Sequence, residues 1–242
     1  GNPRFWVKYG EDSVIRGEGR TQALVAGVVN ANPASVVRVP NVHLGFSRRK
    51  RGYIVMDLGQ GATIAQRKSH KGNYYKNDID AVAAAVQQLI NVKMPPGTAP
   101  GPVGGGPIGH DFFVDCLSTI VYPTVGHLEA QINEVLRPLG NGLCVDFQTD
   151  AADGLVLCPS YPNDSNFMID REGKLWAIDF GPTCFLPSSF RHARRAYSLT
   201  MSSDGFVQSV ARRLNYPRSA NLRAMIAASG RLVVSNNNAL GK

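Results

Sequence analysis

The sequence predicts an α+β chain in which a small antiparallel-sheet lobe is followed by a larger, mainly helical lobe. Three observations predict it. Strand patterns gather in the first quarter, helical periodicity dominates afterwards, and one tight hairpin near residues 159–181 interrupts the helical part. The break is expected near Gly59-Gln60-Gly61, giving lobes of residues 1–58 and 59–242.

The elements follow in order. Phe5 to Tyr9 is aromatic and β-branched and stops at Gly10, so it reads as a strand. From about Glu18, Leu24, Val25, Val28 and Val29 recur at helical spacing, and the helix ends near Asn32-Pro33. Val42–Phe46 and Tyr53–Leu58 read as a hairpin around a basic turn. Asn77 or Asp78 is placed to cap a helix whose apolar face is Ile79, Val82, Val86 and Leu89. Residues 95–109 are too rich in Pro and Gly for helix or strand, and a loop of that length is often functional. Helical segments are expected around Asp111–Ile120, His127–Leu136, Phe206–Leu214 and Ala220–Ala228, with a strand pair, Phe167–Ile169 and Lys174–Ile178, around Asp170-Arg171-Glu172-Gly173.

Composition narrows the function classes. The chain has 242 residues, 43% hydrophobic and 18% charged, the balance of a globular protein. No apolar run approaches the roughly 20 residues that cross a bilayer, and the N-terminus lacks the regions of a signal peptide. No initiator Met opens the chain, so the expectation is a scar residue with further chain upstream. Cys116, Cys144, Cys158 and Cys184 are scattered, without C-x-x-C or His spacing for zinc, which points to buried thiols in a reducing, cytoplasmic compartment. The net charge of +8 favours anionic partners. Its densest run, Arg48-Arg49-Lys50-Arg51, reads as a solvated turn or as a polyanion patch. No aromatic residue interleaves it, so a nucleic-acid partner is not expected, and neither is a membrane.

Four residues carry the chemistry. Phosphoryl transfer needs a Lys to hold nucleotide phosphates and a Glu to hold that Lys; it also needs an Asn and an Asp for metal ions and a carboxylate to accept the hydroxyl proton. Lys8 lies in the first strand and Glu18 in the following helix. Asn166 precedes the late hairpin and Asp179 ends it, thirteen residues on. Singly, each reads as a surface Lys, a helix N-terminal acid, a turn amide and a turn carboxylate. Together their order points to a kinase-type cleft.

The segment from Asn166-Phe167-Met168-Ile169 to Ile178-Asp179-Phe180-Gly181 resembles the catalytic-loop to metal-loop hairpin of the aminoglycoside phosphotransferase and choline-kinase-like family. Val37–Phe46 and Gly52–Gly61 are similar to that family's fourth and fifth strands and hinge; the Pro/Gly loop and the tail from Val210 are most similar to fungal members. The resemblance covers nearly the whole chain. It implies a bilobal protein-kinase-like fold and ATP and Mg²⁺ as cofactors. It further implies Lys8, Glu18, Met56, Asp57 and Leu58 around the nucleotide, and Asn166 and Asp179 on the metal.

The chain departs from that pattern twice. The resemblance implies His-x-Asp with its catalytic Asp five positions before Asn166, where this chain has Pro159-Ser160-Tyr161. A phenol, with a pKa of about 10, is a poor proton acceptor at neutral pH. Asp164 is the nearby carboxylate that a shifted loop would present instead. Gly1–Arg4 is also too short for the two strands and phosphate-covering loop that the resemblance implies before Phe5. The expectation is a catalytically degenerate phosphotransferase-like protein that holds a nucleotide or small ligand. The alternatives are an active small-molecule kinase with an altered base, a cleft reused for other chemistry with Tyr161 as proton donor, and a basic interaction module.

Overall fold

A computed structural model of the chain describes residues 4–159, 162–200, 204–215 and 219–235, without the side chains of 195–200 and 235. Strand β1 (Phe5–Glu11) runs straight into helix α1 (Asp12–Asn30). Short β2 (Val37–Arg38), then β3 (Val42–Arg48) and β4 (Arg51–Asp57) follow. β1, β4 and β3 form an antiparallel sheet in that order, with Lys8 opposite Ile54 and Phe46 opposite Tyr53. Gly52, Ile54 and Met56 are buried under α1, while the residues between them turn outward, the period-two pattern of a half-covered sheet.

After β4 come β5 (Gly61–Thr63), α2 (Lys76–Leu89), β6 (Lys93–Met94), α3 (Val125–Leu136), α4 (Phe147–Asp150) and β7 (Leu155–Cys158). The late hairpin is β8 (Phe167–Asp170) and β9 (Leu175–Ala177), followed by β10 (Cys184–Leu186), α5 (Ser189–Thr200), α6 (Gly205–Arg213) and α7 (Leu222–Ser235). A second sheet has the order β2-β9-β8-β5 and a third the order β10-β7-β6. Asp170 shapes the hairpin turn: its carboxylate accepts from the backbone N–H groups of Glu172 and Lys174 and from Trp176 Nε1. β5 crosses close to β8. A Cβ on Gly61 would lie 2.3 Å from the Ile169 carbonyl oxygen, so the chain needs glycine there to leave the small sheet.

Two cores carry the larger part. One joins Val25 and Val29 of α1, Val86 of α2, Phe167, Leu175 and Phe206. The other packs α3 on α7 around Leu128, Met225, Phe147 and Phe190.

Several expectations are corrected. α1 begins at Asp12, a turn and a half before Glu18. The glycines at 17 and 19 hid its start, and at Gly17 a Cβ would sit 3.0 Å from Pro102, a contact that no local pattern reveals. Asp111–Ile120 holds only a 3-10 turn, Val114–Cys116, with Asp115 and Cys116 in the left-handed region at φ 54° and 57°. Tyr75, not Asn77 or Asp78, occupies the cap position of α2; Asp78 instead receives two hydrogen bonds from the Arg67 guanidinium. β5, β6, β7, β10, α4 and α5 are additions. The cysteines are not uniformly buried: Cys116 and Cys144 are exposed. Cys158 and Cys184 are opposite in register, with thiols pushed up to about 12 by burial.

The Pro/Gly loop clasps helix α1. Arg20 donates from Nε to the Val103 carbonyl at 2.5 Å and from Nη2 to Gly105 at 3.1 Å, and Val103 N–H donates to Thr21 Oγ1 at 3.0 Å. The loop is anchored at its other end by a reciprocal pair, Gly101 N–H to Phe185 O at 2.9 Å and Phe185 N–H to Gly101 O at 2.8 Å. It therefore ties the helix that carries Glu18 to the strand just after Gly181. Arg20→Ala removes two charge-assisted bonds. It is expected to cost about 2 kcal/mol in urea unfolding and to speed amide exchange at residues 101–106. Unchanged exchange there would show that the clasp does not hold the loop.

Candidate functional site

Lys8 stands on the α1-facing side of β1, two residues from Trp6 on the same face. Its Nζ donates to Glu18 Oε1 at 2.6 Å and to Asp179 Oδ1 at 2.9 Å. Gly181 N–H also donates to Asp179 Oδ1, at 2.9 Å. Burial alone would push Lys8 down, but Glu18 and then Asp179 outweigh it and leave the ammonium above its ordinary pKa. Glu18 is also pushed up, because burial of the carboxylate outweighs the pull of Lys8. The pair is thus most strongly desolvated on the carboxylate side.

The Asn166 carbonyl accepts from Ile178 N–H at 2.9 Å, which sets Asn166 beside the end of β9 and Asp179. A cleft of about 330 Å³ opens here, lined by Trp6, Lys8, Met56, Asp57, Asn166 and Asp179. The fold thus brings together six of the nine expected site residues: Lys8, Met56, Asp57, Asn166 and Asp179 line the cleft, and Glu18 reaches it through Lys8. Of the hinge trio, Met56 and Asp57 line the cleft; Leu58 does not. The Asp57 carboxylate accepts from Asn41 N–H and Nδ2, at 2.9 and 2.8 Å, and lies 2.6 Å from His43 Nε2. Partial burial works against ionisation, yet these contacts hold Asp57 below its usual range.

Asp164 is not among the cleft-lining residues. It accepts from Tyr74 Oη at 2.8 Å and pairs with Lys68 Nζ at 3.0 Å. Burial pushes it up, but Tyr74 and Lys68 overcome that and hold it below the ordinary carboxylate range. A carboxylate so engaged is a weak proton acceptor. Tyr161 lies outside the described residues. The sequence reading missed Trp6, Pro40, Ser165 and Met168 as lining residues. Trp6 was readable, since it alternates with Lys8 on one strand face; Pro40 and Met168 come from separate elements that only the fold assembles. On the other side of the Lys8–Glu18 pair, a second cavity of about 350 Å³ is walled by Pro102, Pro107, Asp115, Cys116 and Pro182.

Asn166 and Asp179 supply the oxygen donors that Mg²⁺ takes. Among the described residues there is no cluster of three or more His, Cys, Asp or Glu fit to hold a metal by itself.

This architecture matches solved structures across almost its whole length. A thermostable mutant of the aminoglycoside phosphotransferase APH(4)-Ia, in apo form, aligns with a TM-score of 0.54 at 14% identity, covering 96% of this chain and 82% of that one. The crystal structure of APH(4)-Ia itself gives 0.53 at 14% identity, covering 96% and 81%. A protein assigned as a fructosamine-3-kinase from Haemophilus somnus 129PT gives 0.50 at 14% identity, covering 98% and 78%. The chain has a protein-kinase-like fold. At this identity the likeness shows the fold alone. No family model matches the sequence, and no curated protein matches it. No helix among the described residues is long and apolar enough to cross a membrane.

Buried charges away from the cleft give the protein a pH signature. His110 is fully buried, and burial first, then the Arg194 guanidinium, push its pKa down. Neighbouring Asp111 is raised by burial but lowered further by Arg194 and His110, and ends below the carboxylate range. A group whose folded pKa is depressed stabilises above its unfolded pKa and loses that contribution as pH falls. Stability to urea is therefore expected to decline first below pH about 6.5, through His110, and again below about 4, through Asp111 and Asp57. Glu18, raised by burial, works in the opposite sense. His110→Gln should remove the first decline, whose slope is at most about 1.4 kcal/mol per pH unit. A decline above pH 5 that persists in that variant would contradict the assignment.

Proposed function

We propose that the chain is a nucleotide-binding protein of the small-molecule phosphotransferase type that does not itself transfer phosphate. The observation that carries the reading is the convergence of Lys8, Glu18 and Asp179, held by bonds of 2.6 and 2.9 Å beside a cleft lined by Asn166, Met56 and Asp57. In this reading residues 1–58 form the upper wall and residues 59–242 the lower. Lys8 neutralises phosphate oxygens, and Glu18 fixes its ammonium. The apolar stretch of Trp6 and Met56 takes the base, with Asp57 and Leu58 at the hinge. Asn166 and Asp179 are the residues that would hold Mg²⁺, which would supply charge neutralisation there.

The non-transferring part of the reading rests on Tyr161, five positions before Asn166. A neutral phenol at that position does not accept the hydroxyl proton that an Asp would. The placement of Asp164, already engaged by Lys68 and Tyr74, supports no substitute.

Because two residues alone would hold the metal weakly, Mg²⁺ alone should not change the unfolding temperature, whereas ATP or ADP with Mg²⁺ should raise it. At ligand concentrations near 100 times Kd the gain is about 2.7 kcal/mol. A thermal-shift series with Mg²⁺, ATP, ADP and their combinations tests this. A shift with Mg²⁺ alone, or none with any nucleotide, would sink the reading.

A further inference from the structure

The outer face of the β1-β4-β3 sheet, opposite α1, carries a feature for which the cleft has no use. Register places Tyr9 of β1, Tyr53 of β4 and Phe46 of β3 side by side across three strands. Their rings stack: Tyr9 and Tyr53 at 5.9 Å with planes 30° apart, Tyr53 and Phe46 at 4.9 Å and 7°. One same-face step along the strands lie Arg51 and Arg48, opposite each other, with the Arg51 guanidinium 5.7 Å above the Tyr9 ring. Arg49 and Lys50 close the hairpin, both in the left-handed region at φ 50° and 63°. That turn is served with less strain by Asn-Gly, so two long cations stand where propensity argues against them. The stack runs from an Arg-covered end at Tyr9 to Phe46, which is 39% exposed and sits on the edge strand.

We propose that this face binds single-stranded nucleic acid. A base continues the ring stack on the edge face of Phe46, and phosphates are held by Arg48, Arg49, Lys50 and Arg51. The charge complementarity is direct: four adjacent cations on a chain of net charge +8 meet one negative charge per nucleotide. The stacked rings decide the class of polyanion. A sulfated polysaccharide has no planar group to lay on Phe46. An anionic membrane would use the cations but leave the stack without a role. In a duplex the base faces are already stacked on neighbouring base pairs. Along the sequence these groups lie apart, Tyr9 some forty residues before the basic run, and only the antiparallel register unites them.

The test is fluorescence anisotropy of the full chain with labelled oligo(U) and oligo(dT) of about 20 nucleotides, at several salt concentrations. Both should bind at physiological salt; tighter binding of one than of the other assigns the source as RNA or DNA. Log affinity should fall against log salt with a slope of about −2 to −3, the value for three or four engaged cations. Phe46→Ala should weaken binding about 5- to 100-fold with the slope unchanged, and Phe46→Tyr should retain it. Replacing Arg48, Arg49, Lys50 and Arg51 by Ser should abolish binding at physiological salt and flatten the slope of the weak binding left at low salt. Urea unfolding of each variant separates lost binding from lost fold. The proposal is overturned by absence of oligonucleotide binding, by unchanged affinity in Phe46→Ala, by equal affinity for a duplex of the same length, or by binding to phosphatidylserine vesicles with none to the oligonucleotides.

Discussion

Lys8→Ala is expected to lower stability by roughly 2–3 kcal/mol and to abolish nucleotide binding. The Glu18 carboxylate is buried and pairs with the Lys8 ammonium at 2.6 Å. Removing one member of a buried pair leaves an uncompensated charge, which costs about 3–5 kcal/mol when both partners are enclosed. The Lys8 side chain is 32% exposed, so water recovers part of that cost and the lower estimate applies. Glu18→Gln removes the desolvated charge together with the pair and should cost less, about 1 kcal/mol. The two variants should also differ with pH. As Glu18 protonates on acidification, the penalty of Lys8→Ala should shrink, because the charge it strands disappears. Urea unfolding from pH 8 to pH 5 measures both effects. A Lys8→Ala protein as stable as the unmodified chain would show that the pair does not organise α1 against β1.

If the proposed function is right, Tyr161→Asp is expected to raise phosphoryl transfer well above the negligible rate expected of the unmodified chain. A positioned general base contributes about 10²–10⁴-fold, and that is the gain expected over the unmodified chain with ATP, Mg²⁺ and an aminoglycoside, choline or a similar alcohol as acceptor. Positioning and electrostatic stabilisation of the phosphates supply most of what a kinase gives, and Lys8, Asn166 and Asp179 are the residues that would supply them here. Robust turnover by the unmodified chain, lost in Asp164→Asn, would overturn the proposal and make Asp164 the base. Silence from Tyr161→Asp in a protein that still binds nucleotide would show that the acceptor side of the cleft has been turned to other use.

Much of the site was legible because its parts are local. The hairpin from Asn166 to Asp179 is set by Asp170, whose carboxylate gathers the turn's N–H groups, and by β-branched and aromatic residues on either side. Lys8 on a strand and Glu18 on the next helix are ten residues apart, a separation that a strand-to-helix corner closes. The parts that were not legible depend on long-range contacts. The start of α1 was obscured by Gly17 and Gly19, where a Cβ would meet Pro102, eighty-five residues from Gly17, and Ile54 on β4. The Pro/Gly stretch was legible as a long loop; its role as a clasp depends on Arg20 and on Phe185. Asp164 looked available two residues before Asn166, and only the fold delivers Lys68 and Tyr74 to its oxygens. The basic tetrad looked bare because its aromatic companions come from a strand at the other end of the small sheet and from the hairpin's own cross-strand pair.

The most direct test of the cleft is isothermal titration of the unmodified chain with ATP in the presence of Mg²⁺, beside the same titration of Asp179→Ala. The account predicts saturable binding to one site in the unmodified chain, with Kd about 1 mM or tighter, competed by ADP and dependent on Mg²⁺. In Asp179→Ala both the Mg²⁺ dependence and most of the affinity should be gone. Absence of heat with the unmodified chain, or undiminished Mg²⁺-dependent binding in Asp179→Ala, would contradict it.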